Sequence, residues 1–283
     1  MTVMNVMAFP MKLTAREVTK PWGKADVPAP FSNTGPDKIG EIWFEAEGAA
    51  PLALMVKYIF TSEKLSIQVH PGDAYARSIG LSGGKEECWL VLDAEPGATL
   101  GIGLVRDLSG DELRAAALDG SIEQLLAWLP VARGDFFYIP AGTIHAIGAG
   151  LSLIEIQQNA DVTFRLYDYG RPRELHLDQS IAVANAAPYR HTLARHIDLD
   201  TDQTLVDGPL FELRLAGDAP ETLEGTGPLL VIPIEGSVSV QSAAGAVTAV
   251  AGECLAIDPA SSYHASSDAR LLLARAHENG QTA

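Results

Sequence analysis

Three stretches of the chain carry side chains with chemistry to offer. Ser66-Ile67-Gln68-Val69-His70-Pro71 alternates as a short strand does. It places Ser66, Gln68 and His70 on one face and Ile67 and Val69 on the other. A hydroxyl, an amide and an imidazole aimed the same way suit a polar site, although an isolated Gln-x-His also describes a plain solvent face. Two later stretches shift that balance. Glu86-Glu87 follows closely, and in Gly134 to His145 a turn and a strand lead to Pro140 and Gly142, which bend the chain to present His145. Two imidazoles and a carboxylate can hold a divalent metal while leaving a coordination position open for a substrate. Only one of Glu86 and Glu87 can face such a site, because neighbours on a strand point to opposite sides.

The elements that must position these residues are mostly strands. Branched and aromatic residues predict strands at Glu41–Glu45, Leu54–Phe60, Lys85–Leu92, Asp135–Ile139, Leu151–Gln157 and Val162–Tyr167. Residues 1–30 show little periodicity, and Lys20-Pro21-Trp22-Gly23 reads as an anchored loop with a buried indole. Between residues 72 and 84, four glycines predict a loop with one helical piece around Ala74–Ile79. Residues 107–129 break the rhythm. Ser109 is an N-cap followed by Asp111 and Glu112, and the apolar spacing gives two short helices split at Gly120-Ser121, the second carrying Trp128 and Leu129 and ended by Pro130. A linker follows Arg171, with a helix at Leu177–Ala186. A second set of short strands then runs from Phe211–Leu215 through Leu229–Ile234, Ser237–Gln241, Val247–Val250 and Cys254–Ile257 to Arg270–Ala274. Many short strands with turns between them predict sandwiches or barrels. The expected organisation is a site-bearing domain over residues 1–200 and a second β-domain over 201–283, with a polar, frayed tail from Glu278 to Ala283.

Composition narrows the function classes. The 283 residues carry 36 acidic against 20 basic side chains, a formal charge of −16, which argues against nucleic acid or an anionic membrane as partner. It leaves room for a small phosphorylated molecule, since local Lys and Arg can outweigh a distant average field. Cys88 and Cys254 form no motif and are expected as reduced thiols. The N-terminus lacks the pattern of a secretory signal, and no apolar run is long enough to span a bilayer, so a soluble cytoplasmic protein is expected.

The stretch Gly134–His145 resembles the second conserved block of the cupin superfamily, Gly-x5-Pro-x-Gly-x2-His. The place of the first block's His-x-His is filled by Gln68-Val69-His70. Together with Gly84-Lys85-Glu86-Glu87-Cys88-Trp89, Asp161-Val162-Thr163-Phe164-Arg165 and Tyr167-Asp168-Tyr169-Gly170-Arg171, these motifs resemble the type I mannose-6-phosphate isomerases, in their short bacterial form, in family order over roughly residues 20–175. The resemblance implies a mainly β fold of two cupin-type jelly-roll barrels with a small helical insertion, the second barrel degenerate. Its Gly252, Pro259 and His264 are one residue out of register, so His264 receives no metal role. The resemblance also implies one zinc ion held by His70, Glu87 and His145, with Gln68 as a fourth ligand, and Glu86 turned outward. Arg165 matches the family's essential arginine, Glu155 is the implied general base with Lys85 as rival, and Ser66, Lys85 and Arg165 are the implied substrate contacts. Gln157 and Asp168 read as supporting hydrogen-bonding groups, and Arg171 as a further local cation. The implied activity is interconversion of mannose 6-phosphate and fructose 6-phosphate. Its alternatives are isomerisation of another sugar or sugar phosphate, a non-catalytic sugar-binding or regulatory module and, for a mixed ligand set, a metal-dependent oxygenase.

Overall fold

The computed structural model describes residues 9–218, 227–242, 245–258 and 261–277. Pro259, the first eight residues and the tail from Glu278 lie outside the described residues. Strands dominate. In chain order they are β1 (Met11–Lys12), β2 (Thr14–Lys24), β3 (Ile39–Glu45), β4 (Leu54–Phe60), β5 (Ile67–Val69), β6 (Glu87–Ala94), β7 (Thr99–Leu104), β8 (Leu126–Pro130), β9 (Asp135–Ile139), β10 (His145–Ile147), β11 (Leu151–Gln158), β12 (Phe164–Tyr167) and β13 (Ala194–His196). The C-terminal part adds β14 (Gln203–Asp207), β15 (Phe211–Ala216), β16 (Leu229–Glu235), β17 (Ser237–Ser242), β18 (Gly245–Val250), β19 (Leu255–Ile257), β20 (Tyr263–Ala265) and β21 (Arg270–Ala276). Helices α1 (Asp73–Ser78), α2 (Gly110–Asp119), α3 (Ile122–Leu125) and α4 (Leu177–Val183) are short.

A seven-stranded sheet, β13-β9-β6-β11-β4-β3-β2, faces a five-stranded one, β12-β5-β10-β7-β8. Period-two alternation gives each strand two jobs. On β4, Val56, Tyr58 and Phe60 join a core shared with the C-terminal strands, while Lys57 and Ile59 turn inward between the two sheets. On β5, Ile67 and Val69 are wholly buried on the outer side and leave Gln68 facing inward. The C-terminal part repeats the two-sheet plan with a six-stranded and a three-stranded sheet, β1-β19-β16-β21-β15-β14 and β18-β17-β20. The two parts interlock: Met11 and Lys12 pair with Ala256 and Leu255, and Tyr58, Leu90 and Ile154 pack in one core with Phe211, Ile232 and Leu272.

The helical insertion packs on the outside of the five-stranded sheet, where Leu113, Ala116 and Ile122 meet Ile67, Val69 and Leu166. Ser109 caps α2 as expected. Its hydroxyl accepts from the Glu112 amide at 3.2 Å while the Glu112 carboxylate accepts from the Ser109 amide at 2.8 Å. Replacing Ser109 by Ala is expected to cost about 1 kcal/mol, read as a lower urea midpoint at unchanged slope.

Two expectations need correction. Trp128 and Leu129 lie on β8, not on a helix, and Pro130 ends a strand. The cause is long-range pairing with β7, where Gly101 opposes Trp128; a Cβ at Gly101 would come within 2.2 Å of Leu126. Lys20–Gly23 is an irregular part of β2 rather than a loop, because the register with Ile39 slips from Thr19 to Lys24. Trp22 is buried there as expected.

Candidate metal centre and cleft

His70, Glu87 and His145 come from three strand ends that face one another. Gln68 on β5 pairs with His145, the first residue of β10, and Glu87 opens β6 in the opposite sheet. The Pro140–Thr143 turn fixes the approach. Gly142 takes a positive φ of 84° and its amide donates to the His70 carbonyl at 2.8 Å, which ties the two histidine segments together. A Cβ at Gly142 would meet the Val183 carbonyl at 2.8 Å, so the turn also leaves no room for a side chain.

The two imidazoles are set in one tautomer. The Nδ1 of His70 lies 2.7 Å from the Val162 carbonyl and that of His145 lies 2.9 Å from the Thr143 carbonyl. A carbonyl only accepts, so each Nδ1 carries the proton and each Nε2 offers a lone pair. Both Nε2 atoms stand 3.5 Å from Glu87 oxygens. Burial holds His145 down to about 4 and His70 well below the usual histidine range, which keeps both rings neutral. The candidate ligand atoms lie within 4.8 Å of one another, all on buried residues. Both Glu87 oxygens lack a hydrogen bond of ordinary geometry, although the Lys85 ammonium stands 2.8 Å from one of them. The two Nε2 lone pairs receive the Lys85 ammonium at 3.2 Å and the Gln68 amide nitrogen at 3.3 Å, and with the buried carboxylate they make the donor set of a borderline divalent cation. Burial, then the nearby Glu155, push the Glu87 carboxyl up to about 7, with Lys85 opposing. Gln68 is brought alongside, but it presents its amide nitrogen at 3.3 Å to His145, its oxygen accepting from Ser66; a half-turn of the amide exchanges the two.

The cleft beside this cluster has a volume of about 440 Å³. Its lining includes Ser66, Lys85, Glu155 and Arg165, all singled out from the sequence. Glu155 is buried between two cations, with Oε1 at 3.5 Å from Lys57 and 3.6 Å from Lys85, while Oε2 accepts from the Trp89 indole at 3.0 Å. Burial alone would raise its pKa, but Lys85 and Lys57 outweigh it and hold the carboxylate ionised. Arg165 has no carboxylate partner among the described residues. One of its terminal nitrogens donates to the Glu174 carbonyl at 2.9 Å and its Nε is buried without a partner. Basic side chains in the lining are Lys20, Lys57, Lys85, Arg165 and Arg173; acidic ones are Glu41, Glu155, Asp161 and Glu174. The cleft is therefore near neutral within a strongly acidic chain.

No protein-family model matches the chain. It is 36% identical over 192 residues to a mannose-6-phosphate isomerase of Streptococcus mutans, and 38% identical over 196 residues to mannose-6-phosphate isomerase ManA of Bacillus subtilis. Each match takes in 64% of this chain and about three-fifths of the relative's length, 60% and 61% respectively. A crystal structure of the mannose 6-phosphate isomerase from Bacillus subtilis superposes with a TM-score of 0.75 over 94% of this chain and 99% of that one, at 25% identity. The chain is similar to the mannose-6-phosphate isomerases in sequence and in fold. The two-sheet plan of both its halves is the fold of those isomerases, and the structural likeness runs past the stretch matched in sequence.

Not every residue named by resemblance to these isomerases reaches the cleft. Glu86 faces away and its carboxylate takes the Tyr138 hydroxyl. Asp168 is closed by Arg171 at 2.7 Å and Arg173 at 2.5 Å, and Arg171 turns to the Lys64 carbonyl rather than into the cleft. Gln157 spends its amide on the carbonyls of Gln158 and Ala160. His264 is exposed on β20. Sequence reasoning missed Lys57, Glu41, Trp43 and His176, all in the cleft lining. Lys57 had left one signal, a single charge in the otherwise apolar run Leu54–Phe60. No helix of the described residues is long and apolar enough to cross a membrane.

Proposed function

We propose that the protein is a zinc-dependent aldose–ketose isomerase that interconverts mannose 6-phosphate and fructose 6-phosphate. The observation that carries this reading is that Lys85 links the His70–Glu87–His145 cluster to a buried, ionised Glu155, with 2.8 Å to Glu87 and 3.6 Å to Glu155, in a cleft that also presents Arg165. The residues that would hold the ion are His70, Glu87 and His145, with Gln68 after rotation of its amide. A bound divalent ion supplies Lewis acidity toward the sugar carbonyl and hydroxyl oxygens.

The residues of the chain account for the rest. Glu155 takes the proton from C2 of the open-chain aldose; the C–H electron pair forms the C1–C2 double bond and the carbonyl electrons move to O1. Glu155 then gives its proton to C1 of the resulting cis-enediolate while the O2–H proton passes to O1 and the O2 electron pair forms the C2 carbonyl, which gives the ketose. Lys85, charged because Glu155 and Glu87 outweigh the cost of its burial, stands where it can donate to a substrate oxygen or replace Glu155 as the transferring group. Arg165 offers its unpartnered Nε–H to developing negative charge or to the phosphate, and Ser66 lines the same wall. We further infer that the chain divides near residue 200 into a part that holds this site and a part that supports it.

A coupled isomerase assay with mannose 6-phosphate, on metal-stripped protein before and after zinc is restored, tests the reading. Activity is expected to vanish with the metal and return with it. A folded, zinc-loaded sample that leaves mannose 6-phosphate unchanged overturns the substrate assignment; if it isomerises no other sugar or sugar phosphate, the enzyme assignment falls in favour of a sugar-binding module.

A further inference from the structure

His176 lines the cleft beside Arg165, just before α4. Its Nδ1 lies 3.2 Å from the backbone nitrogen of Arg165. A backbone amide can only donate, so Nδ1 must hold a lone pair there and the single ring proton must sit on Nε2. This is the reverse of the tautomer set at His70 and His145, whose Nδ1 atoms face carbonyls. Protonating the ring at Nδ1 would bring two N–H groups into opposition. Burial, then the neighbouring Arg165 guanidinium, lower the ring's pKa below the usual histidine range, with Glu174 opposing. His176 lines the cleft, so it adds an uncharged N–H donor to that wall.

The surroundings indicate what such a donor meets. Arg165 has a buried Nε–H without a partner and forms no ion pair with a carboxylate among the described residues, although Asp168 and Glu174 lie near enough to act on its charge. Arg173, the other guanidinium at this end, is already held by both oxygens of Asp168. The remaining acidic groups are Asp161 and the exposed Glu174, and neither pairs with Arg165 or His176 among the described residues. We propose that His176 is a substrate-binding residue whose Nε2–H, together with the Nε–H of Arg165, receives an oxygen of the anionic phosphate group of the substrate. This deepens the isomerase reading and rests on it for the identity of the sugar, though not for the binding of a phosphate.

Two substitutions separate this role from a merely structural one. In His176→Asn the side-chain oxygen can still accept the Arg165 amide where Nδ1 did, but nothing reaches as far as Nε2. In His176→Gln the terminal amide keeps an N–H near the Nε2 position and gives up the Nδ1 acceptor. Inorganic phosphate is the probe, first by calorimetric titration of the zinc-loaded protein and then as a competitive inhibitor. A hydrogen bond to a charged acceptor is worth on the order of a tenfold change in affinity or more. His176→Asn is expected to weaken phosphate binding about tenfold and to raise KM for mannose 6-phosphate by a similar factor, with kcat within about threefold. His176→Gln should keep phosphate binding within about threefold. The opposite ranking, with Asn silent and Gln impaired, would show that His176 only supports the Arg165 backbone and would overturn the assignment; so would two variants that both bind phosphate like the parent. Phosphate binding that follows the expected ranking in a protein without isomerase activity would sink the isomerase reading and leave this one standing.

Discussion

Glu87→Gln is expected to purify with less than a tenth of the zinc held by the parent protein, to bind added zinc more weakly by over about 100-fold, and to lose isomerase activity in proportion. The loss should exceed the 10–100-fold that partners outside a coordination sphere typically give, because Glu87 is the charged member of the cluster. Its two oxygens stand 3.5 Å from the Nε2 atoms of His70 and His145, and an amide in their place presents one weak oxygen donor and one N–H that repels a cation. Glu86→Gln is the matched control. It sits just before β6 and turns away from the cluster, where it receives the Tyr138 hydroxyl, and it should retain the parent's zinc. Thermal unfolding gives a readout independent of turnover: a ligand at 100 times its Kd adds about 2.7 kcal/mol to stability, so zinc should raise the midpoint of the parent and of Glu86→Gln and leave Glu87→Gln unmoved. Zinc binding by Glu87→Gln equal to the parent's would remove Glu87 from the ligand set.

Much of this arrangement was legible because the informative signals are local. Pro140, Gly142 and His145 lie within six residues, and the turn they make needs only a positive φ and a backbone amide aimed at the His70 carbonyl. The alternation of Ser66–His70 gave the inward face of β5; the same two-residue period set Glu86 and Glu87 on opposite sides, and the family resemblance chose Glu87. What stayed hidden depends on pairings between residues far apart in sequence. Lys57 reads as an ordinary charge on a strand until β4 is placed beside β11, where it opposes Glu155 directly. The strand fate of Trp128 depends on a small residue, Gly101, in the partner strand. His176 has no motif of its own; its tautomer is set by the amide of Arg165, eleven residues earlier. The interlock of Met11 and Lys12 with β19 spans most of the chain, and no local pattern announces it.

Glu155→Gln is expected to lower kcat by about 10²–10⁴-fold, the usual contribution of a positioned proton-transfer group, with zinc content and phosphate affinity unchanged. The argument is electrostatic. Two buried ammonium groups, at 3.5 and 3.6 Å, and the Trp89 indole N–H hold this carboxylate ionised against burial, which alone would raise its pKa. Such a group is ready to receive a proton at the moment a substrate C–H is brought to Oε1. The same pairing makes the variant costly to fold, since leaving a buried charge without its partner is typically worth about 3–5 kcal/mol, here shared between Lys57 and Lys85. Assays should therefore run well below the variant's own unfolding midpoint, with Glu155→Asp as a folded control that keeps the charge and shortens the reach. Run in deuterium oxide, the parent should place solvent deuterium at C1 of the ketose or C2 of the aldose, and Glu155→Gln should lose that exchange together with turnover. Lys85→Met should slow turnover while the exchange at carbon persists. The reverse pair of results, exchange retained in Glu155→Gln and abolished in Lys85→Met, would transfer the proton to Lys85 and leave Glu155 the task of keeping that lysine and Lys57 in place.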